Sequence, residues 1–240
     1  MSTFKGQTVG KIVADDYRTA QVFRNFGLDF CCGGKRTLEE ACDKKGIKFE
    51  KLEKELNALN NNGADRQNYK SWSPNFLIDY IINNHHQFVR TKLPEIEFYA
   101  KKVAKVHGSR HEELNEIRQK FLKLQNDLLS HLEKEEQLLF PYIKNLVELD
   151  NSQKKADQRP HFGTVKKPIN MMETEHDEAG DIMKQISKLS NSFTPPEDAC
   201  TTYRLFYQNL EGFEKDLHKH VHLENNILFP KALELENRIN

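Results

Sequence analysis

The chain has 240 residues and equal numbers of basic and acidic side chains, 36 of each, so its formal net charge is zero at neutral pH. This balance provides neither the basic field that nucleic acid attracts nor a polybasic segment for a membrane surface, and we expect neither partner. No uncharged apolar run has the length of a membrane span, and residues 1–7 lack the apolar core of a signal peptide. We therefore predict a cytoplasmic protein, in which the four cysteines would stay reduced.

The first 60 residues have the pattern of a small helical domain, residues 1–60. Thr8 is placed to cap a first short helix, and a helix over residues 17–26 is expected to end at Gly27. Residues 37–40, Thr-Leu-Glu-Glu, form a capping box for a helix that Gly46 would close. A last short helix is predicted from about residue 49 to residue 59.

The loop between the second and third of these helices carries two adjacent thiols, Cys31 and Cys32. Two glycines and the cations Lys35 and Arg36 follow them. Positive neighbours lower the pKa of a thiol, and the thiolate is the form that binds metal or exchanges disulfides. Cys31 and Cys32 are therefore candidates for thiol transfer or redox chemistry. The alternative, two small apolar side chains beneath a loop, stays open.

A polar stretch without periodicity, residues 61–73, is predicted to link this domain to a second one, residues 74–240. Ser73 and Pro74 are typical of an N-cap and a first helical residue. Apolar residues then recur at spacings of three and four over four segments, about residues 74–107, 111–149, 169–193 and 196–233. Four long amphipathic helices predict an antiparallel four-helix bundle, and the whole chain is predicted to be all-α.

One eleven-residue motif occurs twice in the second domain. Residues 131–141 read His-Leu-Glu-Lys-Glu-Glu-Gln-Leu-Leu-Phe-Pro, and residues 220–230 read His-Val-His-Leu-Glu-Asn-Asn-Ile-Leu-Phe-Pro. In each copy a His and a Glu four residues apart lie on one helix face, at core positions of the apolar pattern. A carboxylate among apolar side chains is too costly without a compensating partner. The repeat favours a metal over satisfied core histidines.

The first and third long helices add one histidine each. His86 precedes His131 by 45 residues and His176 precedes His220 by 44, which indicates two copies of a helical hairpin. Two bridging carboxylates and two imidazoles per ion describe a dinuclear centre with ions about 3.5–4 Å apart. This mixed ligation suits iron, our prediction, and could accept manganese or zinc; a single ion is the alternative. The candidate metal ligands are His86, His131, Glu135, His176, His220 and Glu224.

Several neighbouring polar residues have open interpretations. His85 is an alternative ligand, although His86 fits the apolar stripe better. Glu175 and Glu178 either line a channel or shuttle protons, or they are helix-surface carboxylates. The other histidines are expected away from the metal: His107 at the far end of the bundle, His222 outside it, and His111, His161 and His218 in solvent. The two remaining cysteines are interpreted as plain core or surface residues: Cys42 and Cys200.

These motifs resemble known proteins over nearly the whole chain. The repeated His-x-x-x-Glu-x-x-x-Leu-Phe-Pro resembles the hemerythrin-like domain. The Cys-Cys-Gly-Gly loop, residues 86–95, residues 172–180 and the two prolines at 195–196 resemble the iron-sulfur cluster repair di-iron proteins. The resemblance implies a cytoplasmic, often homodimeric protein with a non-haem di-iron centre and an oxo or hydroxo bridge. The family's ligands carry over to the same six residues, and its paired thiols correspond to Cys31 and Cys32.

The function that the resemblance implies is repair of iron-sulfur clusters damaged by nitric oxide or peroxide, through iron supply to damaged or apo iron-sulfur proteins. Two alternatives remain: a di-iron nitric oxide reductase, and a hemerythrin-like gas or redox sensor. Hemerythrins proper have a further His one turn before the third-helix ligand, where this chain has Met172. The missing imidazole argues against reversible oxygen carriage and leaves a coordination position for an exchangeable ligand.

Overall fold

The computed structural model describes residues 4–59, 68–153 and 162–239. Within these residues, four short α-helices precede four long helices, and three of the long helices contain a π-helical segment. The short helices are α1 (Val9–Asp15), α2 (Thr19–Asn25), α3 (Leu38–Lys45) and α4 (Phe49–Leu59). The long helices are α5 (Pro74–Tyr80, Ile81–His86 and Gln87–His107), α6 (Glu113–Lys134, Glu135–Leu139 and Phe140–Asn151), α7 (Lys166–Leu189) and α8 (Thr201–Leu223, Glu224–Leu228 and Phe229–Ile239).

Local hydrogen bonds confirm the predicted caps of α1 and α3. The Thr8 side chain accepts from the backbone of Lys11 at the start of α1. Thr37 and Glu40 form the predicted capping box of α3, and Gly46 ends that helix at a φ of 65°. A left-handed φ is easily reached only without a Cβ, which explains the glycine at this position. The short helices are therefore defined largely by their own sequence.

The four long helices form the predicted antiparallel bundle. Helix α5 packs against α6 and α8, and α7 packs against the same two helices. Helix α8 begins at Thr201 and ends at Ile239, whereas the sequence analysis placed it at 196–233. The late start follows from the extended backbone of Cys200, the N-cap residue, after the segment that contains two prolines. Among the helices that the structure describes, none combines the length and apolarity needed to cross a membrane.

The π-helical segments of α6 and α8 lie at the two copies of the repeated motif. Each begins at the motif's Glu, Glu135 or Glu224, and ends two residues before its proline, Pro141 or Pro230. Proline lacks the N–H that would continue the α-helical ladder, and a π turn is one way to rearrange the hydrogen bonds of the preceding turn. A π turn accommodates an extra residue and redirects the side chains next to it. The prolines therefore help to set where the two glutamates point.

The π segment of α5 is supported by asparagine side chains. Asn83 donates to the backbone oxygen of Asp79 at 2.7 Å, and Asn84 donates to that of Tyr80 at 2.8 Å. A widened turn weakens the pairing of backbone carbonyls, and these amides satisfy two of them. The helix continues without interruption through Pro94. The distortion in α5 therefore lies next to His86, at the end of the π segment, and not at the proline.

The N-terminal helices share a core with the bundle. Buried apolar residues of α1 to α4 and of the long helices belong to one continuous cluster. Lys219 of α8 lies over the rings of Tyr17, Tyr69 and Tyr80, at 5.2–5.6 Å from the ring centres. These cation–π contacts connect the bundle to the segment before α2, which contains Tyr17, and to the segment before α5, which contains Tyr69. Part of the predicted linker, residues 61–67, lies outside the described residues, and the division of the chain at residue 60 stays a prediction.

One asparagine side chain of α8 packs against the N-terminal part of the chain. Asn226 donates to the backbone oxygen of Phe30 at 3.1 Å and contacts Gly10 and Gly34. A Cβ on Gly34 would lie 2.8 Å from Asn226 Oδ1 and 3.0 Å from the Cα of Gly10. The two glycines are required here because the side chain and two backbone segments approach so closely.

We expect Gly34→Ala to lower the free energy of unfolding by about 1–3 kcal/mol, because overpacking forces two backbone segments apart. Urea unfolding at equal metal loading measures this change. The matched control is Gly212→Ala in α8, where an added Cβ meets nothing within 4 Å. That control should raise stability by about 0.5–1 kcal/mol, as replacement of a helical glycine does. Equal effects of the two substitutions would show that the close approach at Gly34 is unimportant.

Candidate metal centre

The six side chains predicted as metal ligands meet inside the bundle. His86 comes from the π segment of α5 and His176 from α7. Each copy of the motif adds its His and Glu from α6 or α8. All six residues are at most 2 % exposed: His86, His131, Glu135, His176, His220 and Glu224. The structure therefore brings together and buries every residue of the predicted set.

These side chains form two groups that share both carboxylates. The groups are His86, Glu135, His220 and Glu224, and His131, Glu135, His176 and Glu224, with ligand atoms within 4.8 Å of one another in each. Glu224 lies 2.9 Å from His220 Nε2 and 3.2 Å from His176 Nε2. Glu135 lies 3.3 Å from His131 Nε2 and 3.4 Å from His86 Nε2. Each carboxylate thus contacts one imidazole of each group.

Three of the imidazoles are held through their outer nitrogens. His86 Nδ1 lies 2.7 Å from Glu136 Oε1, and His131 Nδ1 lies 2.9 Å from Glu175 Oε2. His176 Nδ1 lies 2.9 Å from the amide oxygen of Asn225. A carboxylate or amide oxygen only accepts, so Nδ1 must carry the proton in each case. In the neutral imidazole, each Nε2 then presents a lone pair toward the carboxylates, as in a metal-ligating histidine.

The inward nitrogens create a conflict that a cation resolves. His131 Nε2 and His176 Nε2 lie 3.0 Å apart, and when both imidazoles are neutral the outer hydrogen bonds leave both of these nitrogens without a proton. Two lone pairs at this distance repel each other. Both oxygens of Glu135 and one of Glu224 are also buried without a hydrogen-bond donor among the described residues. An uncompensated buried carboxylate is strongly destabilising, so this donor set fits bound cations.

The electrostatics of the site lead to the same conclusion. Burial by itself lowers the pKa of His86 and His131, but Glu135 and Glu224 outweigh it and raise both pKa values to about 10. Burial and the neighbouring Glu224 raise the pKa of Glu135, yet His131 and His86 outweigh them and lower it to about 2. The two carboxylates therefore require positive charge, from a metal or from bound protons.

Two of the positioning residues were missed by the sequence analysis. Glu136 and Asn225 each directly follow a shared carboxylate, and each orients the histidine of the preceding long helix. The signal was present as a polar residue after the Glu in both copies of the motif. Glu175 orients His131, and together with Glu178 it borders a cavity of about 190 Å³. Positioning is thus a role of Glu175 that the sequence analysis did not consider.

The two helical hairpins are not equivalent around the candidate centre. His85 has the position in the first hairpin that Glu175 has in the second, one residue before the lone histidine. Its Nδ1 lies 2.9 Å from Asp216, and its ring stacks on His220 at 5.7 Å. His85 lies outside both groups of ligand atoms. His220 Nδ1 is buried without a hydrogen-bond partner among the described residues.

The remaining histidines have varied surroundings. His107 is buried beside Cys200, with 3.2 Å between Nε2 and Sγ. His222 lies outside both groups of ligand atoms, as expected, but it is buried, because the N-terminal helices cover that face of α8 and Tyr17 and Phe30 pack against its ring. His218 and His111 are only partly exposed, so neither is simply solvated. The first faces Phe30, the second pairs with Asp198, and His161 lies outside the described residues.

The paired thiols lie next to the candidate centre. Cys32 Sγ is 3.5 Å from the backbone oxygen of His176. The predicted lowering of thiol pKa is wrong for Cys31, because a hydrogen bond with Cys32 and burial both raise the pKa of Cys31. Lys35, one of the two cations, instead forms an ion pair with Glu173 at 2.7 Å. The other two cysteines fit their interpretation as a core and a surface residue, because Cys42 is buried and Cys200 is exposed.

Comparison with known proteins covers nearly the whole chain. Residues 5–60 match the ScdA_N family, described as a domain of unknown function, and residues 77–232 match the hemerythrin HHE cation binding domain. Relatives named iron-sulfur cluster repair protein YtfE are 35% identical in Pectobacterium atrosepticum and 36% in Enterobacter sp. strain 638. Both alignments span 96% of this chain and 98% of the relative. The chain therefore belongs to the family of iron-sulfur cluster repair proteins with a hemerythrin-type cation-binding domain.

Proposed function

We propose that the six buried His and Glu side chains hold two iron ions, and that the protein supplies iron to damaged iron-sulfur clusters. The observation that carries this proposal is the sharing of Glu135 and Glu224 between two groups of imidazoles. One ion can be held by each group, with both carboxylates bridging. The name of the relatives, iron-sulfur cluster repair protein, supports the target, and the imidazole and carboxylate donors suit iron.

Each ion would have four ligand atoms from the protein, two imidazole nitrogens and two carboxylate oxygens. Met172 lies one turn before His176 and is buried, so no further imidazole comes from that position. Iron with imidazole and oxygen ligands commonly takes more than four ligands, and the positions left over suit exchangeable ones. Such a centre supports release of iron better than permanent storage.

The residues around the centre would keep the six ligands ready to bind iron. Glu136, Glu175 and Asn225 keep three imidazoles in the ligating orientation, and the closed bundle excludes water from the carboxylates. The iron held at this centre would be the source of the iron that a damaged cluster lacks. We further propose that nitric oxide or peroxide causes the damage that calls for this repair.

Metal analysis of the purified protein tests the shared carboxylates. We expect roughly two iron atoms per chain in the parent, and loss of most of the iron in Glu135→Gln and in Glu224→Gln, because each substitution removes a ligand from both ions. Glu133→Gln, an exposed neighbour on the same helix, is the matched control and should keep both ions. Retention of the parent's iron by either buried variant would contradict the proposed bridging.

A second prediction concerns the positioning residues. Glu136→Ala should weaken metal binding by about 10- to 100-fold, because His86 loses the acceptor that fixes its ring. Competition with a chromophoric chelator measures the affinity. Gln137→Ala changes the adjacent exposed residue and should leave the affinity unchanged. If both variants bind iron as the parent does, the hydrogen bond from His86 has no role in ligation.

Iron supply itself is tested with an iron-depleted iron-sulfur protein as acceptor, in the presence of sulfide and a reductant. The iron-loaded parent should restore the acceptor's cluster absorbance, with loss of an equal amount of iron from the donor. Glu135→Gln should restore little, because it carries little iron. Iron that stays on the parent while the acceptor remains without its cluster would contradict the proposed function.

A further inference from the structure

A second set of potential metal ligands lies beside the candidate centre. The carboxylate of Asp29 and the sulfurs of Cys31 and Cys32 offer three ligand atoms within 4.8 Å of one another. All three residues come from the loop between α2 and α3, and both cysteines are free thiols. Thiolates prefer borderline and soft ions, whereas the six buried side chains provide only nitrogen and oxygen. The two sets therefore differ in chemistry.

Two of the distances within this set are close to those of tetrahedral coordination. Metal–sulfur bonds of about 2.3 Å at a tetrahedral angle place two sulfurs about 3.75 Å apart. The Cys31 and Cys32 sulfurs are 3.7 Å apart. With a metal–oxygen bond of about 2.1 Å, the corresponding sulfur–oxygen distance is about 3.6 Å. The distance from Cys31 Sγ to Asp29 Oδ1 is 3.4 Å. Little movement is needed to hold an ion.

The loop keeps the three ligand atoms in this arrangement. Asp29 Oδ1 accepts from the backbone N–H groups of Cys32 and Gly33, at 3.0 Å and 3.2 Å. Its other oxygen accepts from Lys184 of α7 at 2.8 Å. Burial raises the pKa of Asp29, but Lys184 and the two backbone donors outweigh it and lower the pKa, so the carboxylate stays ionised. These bonds account for the turn but not for a second thiol beside the first.

The thiols also border a cavity from which a fourth ligand can approach. This cavity has a volume of about 100 Å³. Its other lining residues are polar or charged: Lys35, Glu173, Asp177, Asn225 and Asn226. A water molecule or a donor atom from another protein can therefore reach the open side of an ion bound by Asp29, Cys31 and Cys32.

We propose that Asp29, Cys31 and Cys32 form a third metal site, which takes one thiophilic divalent cation such as Fe²⁺, Zn²⁺ or Co²⁺. Binding forms two metal–sulfur bonds and one metal–oxygen bond, and the two thiol protons pass to water. No electron is transferred. The charge of two thiolates and a carboxylate exceeds that of the ion by one, and the ammonium of Lys184 offsets the difference.

Asn225 connects this site to the candidate di-iron centre. Its oxygen accepts from His176 Nδ1 at 2.9 Å, and its amide donates to the backbone oxygen of Cys31 at 3.3 Å. An ion leaving the six buried ligands would therefore find thiolates adjacent to His176. A role of the third site as a station for departing iron rests on the proposed function, whereas binding of a cation there does not.

Cobalt titration of the full-length protein, freed of metal and reduced, tests the third site. Thiolate ligation of Co²⁺ gives intense sulfur-to-cobalt absorption in the near ultraviolet, which imidazole and carboxylate ligands do not give. We expect this absorption in the parent and its loss in Cys31→Ser/Cys32→Ser. Asp29→Asn should weaken the binding at least about tenfold while its oxygen still accepts from the loop. Cys42→Ser and Cys200→Ser are the matched controls.

The variants of the buried carboxylates separate this proposal from the proposed function. Glu135→Gln should lose the ions of the candidate di-iron centre yet keep the sulfur-to-cobalt absorption. The double serine variant should keep those ions and lose one equivalent of bound cobalt, which also shows that it folds. Absence of sulfur-to-cobalt absorption from the parent at saturating cobalt, or its persistence in the double serine variant, would overturn the third site and leave the di-iron proposal untouched.

Discussion

The structure depends on how two carboxylates are compensated inside a helical bundle. Glu135 and Glu224 are fully buried, and the described residues give them imidazoles but almost no hydrogen-bond donors. Without a compensating charge, each would cost several kcal/mol of folding free energy. The outer hydrogen bonds of His131 and His176 turn two lone pairs inward and so exclude the simplest neutral arrangement. The proposed pair of cations would satisfy both requirements at once.

Much of the surrounding fold serves this arrangement. The prolines that close each motif accompany π turns in α6 and α8, and these turns begin at the two glutamates. The N-terminal helices close the outer face of α8 through Asn226, while the neighbouring Asn225 joins His176 to the thiol loop. Consecutive residues of one π segment thus contact the centre, the loop and the N-terminal helices.

The sequence was sufficient for the parts of the structure that repeat or follow local rules. The two motifs and the spacing of His86 and His176 predicted all six residues that the structure brings together. Capping residues such as Thr37 and Gly46 predicted the helix ends for the same reason, since their hydrogen bonds are local. The positions of π turns could not be predicted, because period-3.6 patterns do not show where one extra residue is accommodated.

Features that depend on tertiary contacts were beyond the sequence. His222 was expected outside because it points away from His220 on the helix, and only packing by Tyr17 and Phe30 buries it. The pKa of Cys31 was expected to fall near Lys35, but that ammonium is engaged by Glu173 of another helix. Proximity in the sequence therefore predicted the wrong direction for the pKa shift of Cys31, because Lys35 pairs with a residue of another helix in the folded protein.

The most direct test of the central claim is the anomalous diffraction of the iron-loaded protein, recorded on both sides of the iron absorption edge. The account predicts two iron peaks about 3.5–4 Å apart, one at each group of two histidines, with Glu135 and Glu224 reaching both. A single peak within the bundle, or iron bound away from these two carboxylates, would contradict it.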